Sequence, residues 1–301
     1  MAMKVVIAGG TGFLGSALAD AWRRDGHEVV VLTRRPRGAQ QVAWSPGHGS
    51  DGEWVTAVQS AAAVINLAGE SIAGRRWTTA RKASIRESRL RATRALAAAI
   101  IDAPSPPPVF VSASGVGVYG PRGDETVTEH TPPGFDFLAG VCREWEGEAL
   151  AAATSTRVVV LRTGLVLSGD GGALPRIALP FRYFAGGPLG SGRQYMPWIH
   201  LEDWVAMTQW AAATASVSGP LNVVGTRPVT NAEFARELGR ALRRPAVVPA
   251  PGFALRLALG EMADALLLTG QRALPERAQA VGFRFRYATL TEALNAIYGR
   301  S

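Results

Sequence analysis

The junction between Lys4-Val5-Val6-Ile7-Ala8 and Gly9-Gly10-Thr11-Gly12-Phe13-Leu14-Gly15 constrains this chain more than any other stretch. An apolar run of strand type ends in glycines spaced G-x-x-G-x-x-G. Apolar residues at helical spacing follow: Leu14, Ala17, Leu18, Ala21 and Trp22. Gly9 suits a tight turn off the strand. Gly12 leaves no Cβ to hold a pyrophosphate away from the backbone, and Gly15 lets the helix sit close to the sheet. The helix then aims its free N–H groups and positive dipole end at the phosphates. Arg23, Arg24 and Gly26 read as a helix stop, and His27 to Leu32 as a second strand. This β-α-β unit predicts a dinucleotide site built on Gly9, Thr11, Gly12, Phe13, Leu14 and Gly15; the alternative is a β-α-β turn that binds nothing.

The residues after the second strand bear on which dinucleotide. An NAD site usually places Asp or Glu there, to accept from the ribose hydroxyls. This chain has Thr33-Arg34-Arg35. A guanidinium fork grips a 2′-phosphate, and a neighbouring hydroxyl adds a hydrogen bond, so NADP(H) is expected over NAD(H). A solvated basic loop is the other reading.

Composition excludes several classes. No run of eighteen apolar residues occurs, so no membrane span is expected. The chain enters its first strand almost at once, which predicts no signal peptide. Cys142 is the sole cysteine, and His27, His48, His130 and His200 are scattered, so neither a disulfide nor a metal site is expected. A cytoplasmic protein fits these signs. The net charge of +8 comes from dispersed arginines with no basic run interleaved with aromatics. We therefore expect a small-molecule partner, and neither nucleic acid nor membrane.

Strand-like and helix-like segments alternate through residue 165, as a doubly wound parallel sheet requires. Ala63 to Leu67, Val109 to Ala113 and Arg157 to Leu161 read as strands. Thr78 to Ile101 and Asp136 to Ala153 read as helices. From Ser168 to about residue 200 the chain turns rich in Gly, Pro and aromatics, the character of a ligand-facing loop. Asp203 to Ala213 returns to helix, and Leu221 to Val224 to strand. Thr230-x-x-Glu233 and Thr289-x-x-Glu292 are capping boxes. The expected architecture is α/β: a Rossmann-type parallel sheet over 1–224, including the loop 168–200, with a small, mostly helical cap over 225–301.

These residues resemble the extended short-chain dehydrogenase/reductase superfamily, the epimerase and dehydratase group. The matching stretches are Gly9 to Gly15, Asn66-Leu67-Ala68-Gly69, Ser114 to Tyr119-Gly120, and Trp198-Ile199-His200-Leu201-Glu202-Asp203. More closely, the chain looks like the YfcH-type epimerase family proteins. That likeness rests on Leu67-Ala68-Gly69-Glu70, Arg76-Trp77, Ser88-Arg89, Asp136-Phe137-Leu138-Ala139 and Thr230-Asn231-Ala232-Glu233-Phe234. The resemblance implies that Leu67, Ala68 and Gly69 line the nucleotide and that Thr33 and Arg34 meet the 2′-phosphate. It places Val166 in a loop after the sixth strand, near the nicotinamide. Arg89 falls where an active-site Asn is usual, and Ser114 at the catalytic Ser position.

The chemistry of that superfamily normally rests on Tyr-x-x-x-Lys, whose ammonium lowers the phenol's pKa. This chain has two lysines, Lys4 and Lys82, and none of its five tyrosines has Lys four positions later. Phe137 and Val141 occupy the matching positions, and neither exchanges a proton. Three readings stay open: an NADP(H)-dependent oxidoreductase or epimerase with another relay, a non-catalytic NADP(H)-binding sensor or scaffold, and a purely structural protein. In the first, Ser114 and Tyr119 serve as relay, with charge from Lys82 or Arg89. Arg176, Arg193, Gln194 and Tyr195 would face the substrate, and His200 would support the site by hydrogen bonding. The long helices 78–101 and 136–153 allow a homodimer, and a monomer is equally open.

Overall fold

The computed structural model describes residues 2–47 and 52–299, and His48 lies outside them. Seven strands form one parallel sheet: β1 (Lys4–Ala8), β2 (Glu28–Thr33), β3 (Gln41–Ala43), β4 (Ala63–Asn66), β5 (Val109–Gly115), β6 (Arg157–Thr163) and β7 (Gly219–Val223). Their spatial order is β7-β6-β5-β4-β1-β2-β3. The chain winds outward from β1 in one direction, then returns through β4 and winds the other way. The carboxyl ends of β1 and β4 therefore flank a switch point, where open α/β sheets bind ligands.

Alternate strand residues feed two separate cores, the period of two that a pleated strand imposes. Val5 and Ile7 join Val111, Val159 and Leu161 beneath α1 (Phe13–Arg24) and, later in the chain, the helix Leu201–Ala213. Val6 and Ala8 join Val64, Phe110 and Val160 under α2 (Glu53–Gln59) and α3 (Thr79–Ile101). Covered on both faces, these strands are unbroken apolar runs, which made them legible. α4 (Phe137–Leu150) starts at Asp136, whose carboxylate accepts from the Ala139 amide at 2.8 Å. This is the Rossmann-type α/β fold, with a mostly helical C-terminal region.

The segment 168–200 is more ordered than a ligand loop. It holds α5 (Leu174–Arg182), with Pro175 in its first turn and Pro180 near its end. Leu165–Leu167 pairs in parallel with Trp198–His200, and Tyr195–Met196 pairs with Val229–Thr230. After α6 (Leu201–Ala213) and β7, the C-terminal region opens with α7 (Asn231–Leu242) and closes with the helix Leu290–Tyr298. Both capping boxes are formed, at Thr230/Glu233 and Thr289/Glu292. A third core unites Leu167, Leu174, Phe181 and Trp198 with Phe234, Leu238, Leu290 and Leu294. The 168–200 segment and the C-terminal helices thus hold each other over the sheet's carboxyl edge.

Candidate functional site

The glycine turn behaves as its spacing implies. Gly9 has φ +80°, and a Cβ there would lie 2.8 Å from the Leu67 carbonyl. Only glycine brings the ends of β1 and β4 this close. A Cβ on Gly15 would lie 2.3 Å from the Gly9 oxygen, so this glycine seats α1 against the turn. Gly10, outside the recognised spacing, presses on the Val31 side chain, where a Cβ would meet methyl carbons at 2.8 Å. Gly12 donates its amide to the Gly9 carbonyl at 3.0 Å and precedes α1 with no side-chain cap. No carboxylate stands in the helix's first turn. Thr11 and Gly12 are exposed, while Phe13 and Leu14 are half-buried. Gly171 and Gly172 close over the Phe13 ring, where added Cβ atoms would come within 2.5 and 2.9 Å. The 168–200 segment therefore reaches the turn.

Beside the turn opens a cleft of about 810 Å³ lined by Thr11, Thr33, Arg34, Arg35, Arg37 and Gln41. None of these six carries a carboxylate. The Arg35 amide approaches Thr33 Oγ1 at 3.4 Å, and the Arg37 amide donates to Gln41 Oε1 at 2.8 Å. Arg37 and Gln41 join the residues expected from the sequence; the basic run Arg34-Arg35-Pro36-Arg37 signals the first, and no local pattern marks the second.

The loop after β4 is fixed from below. Asn66 is fully buried, accepts from the Ala68 amide at 3.2 Å and donates to Thr93 Oγ1 at 2.7 Å. Trp145 Nε1 donates to the same Thr93 hydroxyl at 2.8 Å. Arg89 lies under Gly69, with Nη1 donating to the carbonyls of Glu70 at 3.0 Å and Ile85 at 2.9 Å. Its guanidinium sits 5.1 Å from the Trp145 ring centre, and burial holds its pKa below the usual value. A hydrogen bond from Ser84, with the Arg81 guanidinium, keeps the Glu70 carboxyl below the usual range; Arg34 adds to this from the cleft side.

Ser114 and Tyr119 meet in a buried network. Ser114 Oγ donates to Glu146 Oε1 at 2.7 Å. Glu146 accepts from Arg162 through both oxygens, at 3.0 and 2.8 Å. Arg162 Nη1 donates to the Tyr119 hydroxyl at 3.0 Å, and that hydroxyl donates to Asn222 Oδ1 at 2.6 Å. Tyr119 is 0% exposed, and burial pushes its phenol up to about 12 against the pull of Arg162. Burial works against the Arg162 charge too, but Glu146 outweighs it and holds the guanidinium ionised. A phenol enclosed in this way has its proton committed inside the protein.

Where the resemblance expects the phenol, the Phe137 ring packs edge-on against Trp77, with centroids 5.1 Å apart. Lys82 Nζ stands 4.6 Å over the Phe137 ring and 2.9 Å from both Glu261 oxygens. Val141 is buried. Val166 is found in the short strand Leu165–Leu167, a correction to its expected loop: Gly164 lies so close to Pro197 that the chain continues extended and pairs with Trp198–His200. Cys142 is buried, its thiol pushed up to about 11 by desolvation. Gln194 is spent on the carbonyls of Leu189 and Leu267, at 3.0 and 2.7 Å. Arg176 and Arg193 are exposed, and the Arg272 guanidinium lies 5.4 Å from the Tyr195 ring centre. His200 caps α6, its Nδ1 accepting from the Glu202 amide at 3.1 Å. Among the described residues no group of three side chains is placed to hold a metal ion.

Comparison with known proteins places this geometry. The pattern described as the NAD dependent epimerase/dehydratase family matches residues 5–225. The chain belongs to that family. A second pattern, the domain of unknown function DUF1731, matches residues 250–297 of this epimerase/dehydratase-family chain. The epimerase family protein ML0860 of Mycobacterium leprae is 44% identical over 294 residues, covering 97% of this chain and 94% of that protein. The crystal structure of human epimerase family protein SDR39U1 (isoform 2) with NADPH superposes with a TM-score of 0.91 at 37% identity, covering 99% of this chain and 100% of that one. A nucleoside-diphosphate sugar epimerase from Corynebacterium glutamicum gives a TM-score of 0.83 at 32% identity, over 99% of this chain and 59% of that one. The family match runs from within β1 to just past β7, and the second pattern covers the last helices of the C-terminal region.

Proposed function

We propose that this chain binds NADP(H) at the glycine turn and acts as an oxidoreductase or epimerase on a small molecule without a Tyr-x-x-x-Lys pair. The observation that carries the cofactor reading is the cleft beside the turn: guanidiniums from Arg34, Arg35 and Arg37, the Thr33 hydroxyl and no carboxylate. That donor set fits a 2′-phosphate, and the uncapped start of α1 fits a diphosphate. The human relative crystallised with NADPH supports it. In this reading Gly9, Thr11, Gly12, Phe13, Leu14 and Gly15 hold the diphosphate, and Thr33, Arg34 and Arg35 the 2′-phosphate. Leu67, Ala68 and Gly69 line the nucleotide, with Arg89 and Val166 flanking it. The nicotinamide, when bound, supplies hydride chemistry.

Ser114 and Tyr119 take a positioning role in this proposal. Their hydrogen bonds to Glu146, Arg162 and Asn222 tie the ends of β5, β6 and β7 together. Lys82, held by Glu261, stands 4.6 Å over the Phe137 ring that takes the phenol's position. We also read the chain as cytoplasmic, of the YfcH-type branch, divided at about residue 224, and free of nucleic-acid partners. Ion pairs within the chain, Arg86–Glu144 and Arg94–Glu148, join α3 to α4, and both a monomer and the helix-paired homodimer fit this arrangement. A specific observation favours a second reading, a non-catalytic NADP(H) sensor: Phe137 and Val141 stand where the relay belongs, and Tyr119 is sealed. A panel of carbonyl metabolites and sugar nucleotides with NADPH, followed at the nicotinamide absorbance band and by product chromatography, separates the two. Turnover supports the enzyme. Tight NADPH binding with no product from any compound supports the sensor.

A further inference from the structure

We propose that the outer face of the C-terminal cap docks on an anionic lipid surface. The helix Gly252–Leu259 (GFALRLAL) buries none of its residues; Phe253 is 74% and Leu257 78% exposed, one turn apart on the same face. Val247, 76% exposed, lies on the strip that leads into this helix. Tyr183 and Phe184, 76% and 60% exposed, sit beside that strip: the Val248 amide donates to the Gly186 carbonyl at 3.0 Å, and the Arg244 guanidinium lies 4.7 Å from the Phe184 ring centre. Phe184 is held at φ +60°, a conformation L side chains rarely adopt, and its ring is exposed.

Charge decides what covers this face. Arg236, Arg240, Arg243 and Arg244 line a shallow hollow of about 390 Å³ next to Val247. The nearby carboxylates Glu237 and Asp264 are already taken by Arg240 and Arg256. A second copy of this chain, docked with the arginine hollow on the two-fold axis, would bring guanidiniums against guanidiniums. An anionic bilayer matches the mixture: aromatic and leucine side chains enter the headgroup boundary while arginines meet phosphates. The expectation of no membrane partner rested on the lack of a spanning segment. Among the described residues no helix is long and apolar enough to cross a membrane, and surface docking requires none.

The test is flotation of the full chain with vesicles of phosphatidylcholine, alone or mixed with phosphatidylglycerol. We expect binding to the mixed vesicles only, weakened by salt. Phe253→Asp with Leu257→Asp, and separately Arg243→Glu with Arg244→Glu, should each lower partitioning about tenfold or more. All four positions are exposed, so circular dichroism should show an unchanged fold. Arg24→Glu with Arg284→Glu makes the same charge change on other surfaces and should retain binding. Three results would overturn the proposal: no binding to mixed vesicles, an equal loss in the control variant, or a dimer by light scattering that Leu257→Asp splits while vesicles capture nothing.

Discussion

Arg34→Ala should weaken NADPH binding far more than NADH binding. Arg34 shares its cleft with Arg35, Arg37 and the Thr33 hydroxyl. A hydrogen bond to a charged group contributes about 1.5–3 kcal/mol. Arg34 is solvent-exposed, and its two neighbours remain, so the lower end applies, about 1.5 kcal/mol. At about 1.4 kcal/mol per tenfold, the NADPH Kd should rise roughly tenfold. NADH lacks the phosphate, and its Kd should move less than about twofold by the same conversion. Calorimetry with both nucleotides at low and high salt reads this directly, and the NADPH preference should shrink as salt rises. An equal loss for both nucleotides would show that Arg34 acts through the fold. No change for NADPH would remove the guanidinium from the cofactor site.

Other expectations follow from single contacts. Gly15→Ala places a Cβ 2.3 Å from the Gly9 oxygen and should cost about 1–3 kcal/mol in a urea melt, with NADPH binding lost. Gly140→Ala, within α4 and with nothing within 4 Å of the added Cβ, should instead leave stability equal or raise it by about 0.5–1 kcal/mol. Tyr119→Phe strips Asn222 and Arg162 of a buried partner and should cost about 1–3 kcal/mol of stability. Its NADPH affinity should stay constant by calorimetry; a loss of affinity would contradict the positioning role. Burial holds His200 below its ordinary pKa of 6.5, so between those two values the unfolded chain binds more protons than the folded one. Stability should be fully present above about pH 6.5 and fall as the pH drops toward the folded value. His200→Asn, which keeps an acceptor for the Glu202 amide, should flatten that slope in melts between about pH 7.5 and 5.5.

What the sequence determined was everything carried by near neighbours. A strand covered on both faces needs an unbroken apolar run, so β1, β2, β4, β5 and β6 are legible without coordinates. A glycine turn and a capping box are short-range geometry, and both are written in adjacent residues. β3 has three residues at the sheet's edge and α2 seven, too few to establish a period. α5 was hidden by Pro175 and Pro180, which a helix tolerates only near its ends. The tertiary structure alone decided the fate of Tyr119. Its partners Arg162 and Asn222 stand 43 and 103 residues away, and only the side-by-side pairing of β5, β6 and β7 brings them to its hydroxyl. Burial and long-range partners set whether a phenol can give up its proton, and both arise after the chain has folded.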